Sequence, residues 1–137
     1  MFNKILVPVD LGHLDELEKA LAVAADEARN RAIPVVYMAA AEETPGPVAR
    51  DPKEFAAKLD AFAAQQADKH GISAEALTIV STDPAVEINK LILKAARDTG
   101  ADLIIMASHQ PRMLDWILPS HGGHVAEHAD VSVFVVR

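Results

Sequence analysis

The chain has 137 residues and half of them are hydrophobic, which is enough for one domain with a substantial core. The net charge of −7 and the 4% of aromatic residues argue against a nucleic-acid partner, which would need a basic patch. The absence of cysteine excludes disulfides and thiolate metal sites, and it fits a reducing compartment. No apolar run approaches the roughly 20 residues of a membrane span, and no signal peptide is visible, so we expect a cytoplasmic protein without membrane contact.

The first third of the chain alternates strand and helix patterns. KILVPVD (4–10) is a short apolar run that ends in turn residues, as buried strands do. HLDELEKALAVAADEARNRA (13–32) has leucines and alanines at helical spacing, with acids early and arginines late, which suits the helix dipole. PVVYMAAA (34–41) predicts a second strand, and EETPGPVARDP (42–52), with three prolines and a glycine, predicts a loop.

The middle of the chain continues the alternation. An amphipathic helix, marked by Phe55, Leu59, Phe62 and Gln66, is predicted to end near KHG (69–71), with Gly71 as its C-terminal stop. ALTIVS (76–81) predicts a third strand. In the helix that follows, Asp83 stands at the capping position before a proline, and Gly100 ends the pattern.

The last part of the chain contains two further strands. ADLIIMAS (101–108) predicts a fourth strand, HGGHVAEHAD (121–130) a short helix, and VSVFVV (131–136) a fifth strand. Near-continuous apolar strands joined by helices indicate an α/β fold, with a parallel sheet covered on both faces. No repeat or linker divides the chain, so we expect one domain over 1–137.

The architecture locates a candidate site. In an open parallel sheet, ligands bind beyond the carboxyl ends of the strands, where the strand order reverses. The crevice is therefore expected between the ends of the first and fourth strands, whose residues are Pro8, Val9, Asp10, Ala107, Ser108 and His109.

Three blocks of sequence carry a family resemblance: KILVPVD at the start, STDPAVEINKLILKAARDTGADLIIMASH, and HADVSVFVVR. On these residues the chain resembles the universal stress protein family. ASHQP, which replaces a glycine-rich turn, is most similar to the short single-domain branch that includes enterobacterial universal stress proteins F and G. The resemblance implies a five-stranded parallel sheet in the order 3-2-1-4-5, Rossmann-like and adenine nucleotide alpha hydrolase-like. It also implies no general enzymatic activity, and a homodimer through the last strand, 131–136.

Many members of that family bind ATP through a G-x-x-G-(x)9-G-[S/T] pattern after strand four. Glycines there allow the backbone to approach the phosphates closely. In this chain the glycine positions fall on Ala107, Gln110 and Pro119, with a spacer one residue shorter, and the hydroxyl position falls on Ser120. Pro119 has no N–H group to offer.

Side chains could replace the missing backbone donors. The candidates to hydrogen-bond phosphates are Ser108, His109, Ser120 and His121. On the adenine side, the resemblance implies roles for Asp10 and for Ala40, the small apolar residue on strand two. The expected ligands are ATP or AMP, with magnesium possible alongside ATP.

The residues also allow structural interpretations. Asp10 could instead cap the turn that follows it, and Ser108 and His109 could be ordinary turn residues. Gly122 and Gly123 could serve tight packing of the last helix on the sheet or close approach to a ligand.

The residues after strand four also allow other chemistries. His121, His124 and His128 are spaced i, i+3, i+7, on one helical face within roughly 60°, and could bind zinc or nickel or simply form a polar face. A serine hydrolase would need a G-x-S-x-G elbow, which the sequence lacks. Three functions stay open: an adenine-nucleotide-responsive regulatory protein, a nucleotide-free dimeric module that binds an unknown protein partner, and a histidine metal site.

Overall fold

The computed structural model describes residues 1–108 and 131–137 of the chain. Helices and strands alternate in these residues. They are β1 Ile5–Pro8, a 3-10 helix Leu14–Leu17, α1 Glu18–Arg31, β2 Val35–Glu42, α2 Pro52–His70, β3 Ala74–Ser81, α3 Pro84–Thr99, β4 Leu103–Ala107 and β5 Ser132–Val136.

The five strands form one parallel sheet in the order β3-β2-β1-β4-β5, which confirms the predicted α/β fold and strand order. From β1 the chain first adds strands on one side, β2 and then β3. It then crosses to the other side for β4 and β5. The strand order therefore reverses between β1 and β4, and this point positions the candidate site.

Helices cover both faces of the sheet, and the strand residues alternate between two cores. On the α1 and α2 face, the core includes Ile5, Val7, Val35, Tyr37, Leu59 and Phe62. On the α3 face it includes Leu6, Val36, Met38, Ile92, Ile104 and Met106. Because both faces are buried, the central strands consist of apolar residues without a polar side. Each fully buried Ile or Leu side chain contributes about 1.5–3 kcal/mol to folding.

Two of the three α-helices in the described residues end at a glycine. Gly71 after α2 and Gly100 after α3 adopt the left-handed conformation, with φ of 63° and 75°, which confirms both predicted stops. Ala32 has φ of 53° after α1, so there an alanine occupies a position that usually favours glycine.

Two predicted details differ in the structure. The first turn predicted as α-helix is a separate 3-10 helix, Leu14–Leu17, and the preceding His13 makes no side-chain capping bond. Asp83 occupies the N-cap position of α3 but its side chain makes no capping bond either. Instead the hydroxyl of Ser81 accepts the Asp83 N–H at 3.2 Å and donates to Glu87 at 2.5 Å.

Within residues 1–108 and 131–137, no helix is both long enough and apolar enough to cross a membrane. The predicted helix over 121–130 lies outside the described residues, as does the glycine pair within it.

Candidate functional site

The crevice begins where β1 separates from β4. The Val9 N–H donates to the Met38 carbonyl of β2 at 2.8 Å. Because amides alternate in direction along a strand, the amide position of Pro8 faces β4. Proline has no N–H, and among the described residues the β1–β4 pairing ends at Leu6 and Ile104. The carboxyl end of β1 is therefore hydrogen-bonded to β2, while on its β4 side it is unpaired after Leu6.

A tight turn closes the end of β1 and presents Asp10. One carboxylate oxygen of Asp10 accepts the Gly12 N–H at 3.0 Å, and the other lies 2.9 Å from Nδ1 of His13. The His13 N–H donates to the Asp10 carbonyl at 3.0 Å. The Asp10 side chain is still 53% exposed. Asp10 thus caps the turn that follows it, as one of its two predicted roles required, and its carboxylate stays accessible to a ligand.

The hydrogen bond with the Asp10 carboxylate raises the pKa of His13 above its ordinary value, and the negative charge of that carboxylate adds to the effect. The side chain of His13 is 63% exposed, so its ring exchanges protons freely with solvent. The turn therefore contains a titratable imidazole beside a candidate ligand-binding carboxylate.

The loop between β2 and α2 packs against this turn. A Cβ atom added at Gly12 would lie 3.6 Å from the Val48 side chain. The Lys58 ammonium donates to the Val48 carbonyl, and Glu54 pairs with Arg50 at 2.7 Å and with Lys58 at 3.6 Å. These contacts fasten the loop to α2, so Val48 is held beside the end of β1.

The predicted residues of β1 and β2 lie at the crevice in different ways. Pro8 and Val9 are buried, so they shape the end of the strand and offer no exposed side chain. Ala40 is half-buried, and the register that pairs Pro8 with Met38 brings Ala40 beside the end of β1. The structure therefore places Ala40, on β2, beside the turn after β1 that contains Asp10.

The predicted site residues at the end of β4 also differ in how buried they are. Ala107 is buried in the core on the α1 and α2 face. Ser108 is half-buried, and its N–H donates to the Val136 carbonyl at 2.8 Å. Because β5 occupies that amide, a hydrogen bond from Ser108 to a ligand has to come from its hydroxyl group.

The other predicted phosphate donors, His109, Ser120 and His121, lie outside the described residues, as do the metal candidates His124 and His128. Their roles stay predictions. In the part of the chain that the structure describes, no group of three or more His, Asp or Glu side chains is arranged to hold a metal ion.

His13 and Val48 also lie beside the site, and neither was predicted from the sequence. The spacing Asp-x-x-His, which suits a turn closed by a side chain, was an available signal for His13. Val48 had no such signal, because its place depends on how the loop folds back over β1.

A parallel sheet whose strand order reverses between β1 and β4, with helices on both faces, defines a doubly wound α/β protein. Within that class the chain belongs to the universal stress protein family, whose sequence model matches residues 1–137.

Solved structures of the family have the same fold. A universal stress protein from Burkholderia pseudomallei is 18% identical with a TM-score of 0.70, covering 98% of this chain and 96% of that one. One from Archaeoglobus fulgidus in complex with dAMP is 22% identical with a TM-score of 0.69, covering 99% and 98%. One from Arabidopsis thaliana with AMP bound is 13% identical with a TM-score of 0.61, covering 98% and 90%. At these identities the likeness establishes the fold alone.

Proposed function

We propose that this protein binds an adenine nucleotide, AMP or ATP, between the carboxyl ends of β1 and β4. It acts as a regulatory binding protein without dedicated catalysis. The observation that carries the proposal is the early end of strand pairing at the reversal of the sheet, where β1 ends its pairing with β4 two residues before the strand itself ends. The relatives solved with dAMP and with AMP support the choice of ligand.

Each described residue at the crevice has a group suited to part of a nucleotide. The exposed carboxylate of Asp10 can accept hydrogen bonds from ribose hydroxyls or from an amino group. Ala40 leaves room for a flat base, because its side chain is a single methyl group. The Ser108 hydroxyl can donate to a phosphate oxygen. Such a side-chain donor is needed because this chain lacks the loop glycines through which many relatives bind phosphate. If ATP is the ligand, magnesium would accompany its phosphates.

Isothermal titration calorimetry with AMP, and with ATP and magnesium, tests this proposal. We expect dissociation constants in the micromolar range. Ser108→Ala should weaken binding about three- to ten-fold, the usual effect of losing one neutral hydrogen bond. The matched control is Ser73→Ala, which removes an exposed hydroxyl directly before β3, at the amino ends of the strands. No binding at millimolar ATP with magnesium would contradict the proposal.

A second candidate function is that of a dimeric interaction module, which needs no nucleotide. It is favoured by β5, a strand at the edge of the described sheet whose Phe134 side chain is 42% exposed. An apolar edge strand is open to pairing with another chain, and we propose that a second copy pairs there through residues 131–136. A stable dimer that binds neither AMP nor ATP would favour this candidate over the first, with an unidentified protein as its partner.

A further inference from the structure

We propose that His13 makes the crevice at β1 pH-dependent. It holds the Asp10 carboxylate in place and, when protonated, cancels its charge. A phosphate-bearing ligand then binds more tightly in mildly acidic than in alkaline solution. This inference rests on the proposed function, since it assigns a regulation to the same crevice.

The first support is the geometry of the turn. His13 Nδ1 lies 2.9 Å from one Asp10 oxygen, while the Gly12 N–H donates to the other at 3.0 Å. The His13 N–H donates to the Asp10 carbonyl at 3.0 Å, which holds the two residues in this arrangement. An imidazole with its proton on Nδ1 donates this bond whether the ring is neutral or charged. Protonation therefore changes the charge of the pair without moving the carboxylate.

The second support is the charge around the ring. Besides Asp10, the groups that act on the His13 imidazole are Glu16 and Asp15 in the 3-10 helix, and both favour its protonated form. The loop packed against the turn contributes the apolar Val48 next to Gly12. The pKa of His13 is accordingly raised above its ordinary value, so the ring keeps its proton to a higher pH than a free imidazole does.

The consequence for a ligand follows from the sign of the charges. Above the pKa of His13, Asp10 repels a phosphate group; below it, the Asp10–His13 pair is neutral overall and the repulsion falls. For charges several ångströms apart at a solvated surface, we expect a change of about three- to ten-fold in the dissociation constant. The dissociation constant should increase as the pH rises through the pKa of His13.

The first experiment measures AMP binding calorimetrically from about pH 5.5 to about pH 8.5. It compares the unmodified protein with His13→Gln, whose amide can still donate to Asp10 but cannot become charged. The matched control is His70→Gln, at the C-terminal end of α2. The AMP phosphate itself titrates near about pH 6, but this affects every variant equally.

The expected result is a ratio of AMP dissociation constants, that of His13→Gln divided by that of the unmodified protein. This ratio should be about one at the alkaline end and about three to ten at the acidic end. The His70→Gln ratio should stay near one.

A second measurement needs no ligand. The pKa of His13, followed by NMR in the free protein, should fall towards its ordinary value in Asp10→Asn. An unchanged value overturns the inference, because the two side chains would not be coupled. A His13→Gln ratio near one at every pH overturns it while leaving the proposed function intact. AMP that fails to bind at any pH overturns the proposed function and this inference together, even where the NMR titration shows the coupling.

Discussion

Asp102 joins the beginnings of β1 and β4 through hydrogen bonds to backbone amides. Its carboxylate accepts the Asn3 N–H at 3.0 Å and the Lys4 N–H at 3.2 Å. The Lys4 ammonium donates to the Thr99 carbonyl at 2.9 Å, which adds a contact to the end of α3. The Asp102 side chain thus joins β1 and β4 at their amino ends. At their carboxyl ends the two strands are unpaired after Leu6, where Pro8 has no N–H to donate.

We expect Asp102→Ala to lower the free energy of unfolding at pH 7 by about 1–2 kcal/mol, because two amides lose a charged acceptor. Partial burial raises the pKa of Asp102, but the amide donors of Asn3 and Lys4 lower it more, so it lies below its usual value. Its contribution is therefore present above the unfolded-state pKa of about 3.9 and is lost as the pH falls through the folded-state pKa. Urea denaturation should show the difference between variant and unmodified protein shrinking in acid.

The control for this prediction is Asp98→Ala. Asp98 forms an exposed i, i+4 ion pair with Lys94 at 2.5 Å, and such pairs contribute only about 0.3–0.5 kcal/mol. Equal losses of stability in the two variants at pH 7 would mean that the Asp102 contacts do not stabilise the fold more than a surface ion pair does.

At the scale of elements, α2 and α3 begin with the same Asp-Pro dipeptide and are capped differently. Before α2, Asp51 has an extended backbone and accepts the Glu54 N–H at 2.7 Å. Before α3, Asp83 has ψ of 77° and makes no capping bond. The Glu54 N–H donates to the Asp51 side chain, whereas the Val86 N–H, three residues after Asp83, donates to the Asp83 carbonyl at 3.2 Å, and the Glu87 carboxylate accepts from Ser81.

This contrast predicts different effects for the same substitution. Asp51→Ala should lower the free energy of unfolding by about 1 kcal/mol, because α2 loses the acceptor for an N-terminal amide. Asp83→Ala should lower it by only a few tenths of a kcal/mol, since that side chain caps nothing. Chemical denaturation of both variants at neutral pH measures the difference. Equal costs would show that the bond from Glu54 to Asp51 has no net effect.

At the scale of the molecule, β3 and β5 lie at opposite edges of the described sheet, and each carries an exposed apolar side chain. Val80 on β3 is 48% exposed and Phe134 on β5 is 42% exposed. Exposed edges of this kind invite pairing with another chain. The proposed homodimer uses only the β5 edge, so the two edges provide a matched test.

We expect Phe134→Lys to increase the dimer dissociation constant at least about tenfold, because a charge would replace an aromatic contact at the interface. Val80→Lys should leave it unchanged. Sedimentation velocity over a range of protein concentrations distinguishes the 14.7 kDa chain from its dimer. A protein that is monomeric throughout, or one dissociated by Val80→Lys alone, would contradict pairing through β5.

The strands were predictable because burial on both faces requires apolar runs, and two helix stops were predictable because Gly71 and Gly100 accept a positive φ. The sequence also predicted that Asp10 and Ser108 lie at the carboxyl ends of β1 and β4, since each ends an apolar strand pattern; their contacts with a ligand stay predictions. It did not predict the missing cap at Asp83, because the Asp-Pro signal is local, while the N–H groups of Val86 and Glu87 donate to the Asp83 carbonyl and not to its side chain.

By itself the sequence determined the number of the described strands and α-helices, through the periodicity of its apolar residues, and the family to which the chain belongs. Only the tertiary structure decided which groups meet at the end of β1. There Pro8 offers no N–H to β4, and the Ser108 N–H donates to β5. The His13 ring contacts the Asp10 carboxylate in the turn beside Val48. These contacts depend on strand register and loop folding, which bring together residues that no local pattern relates.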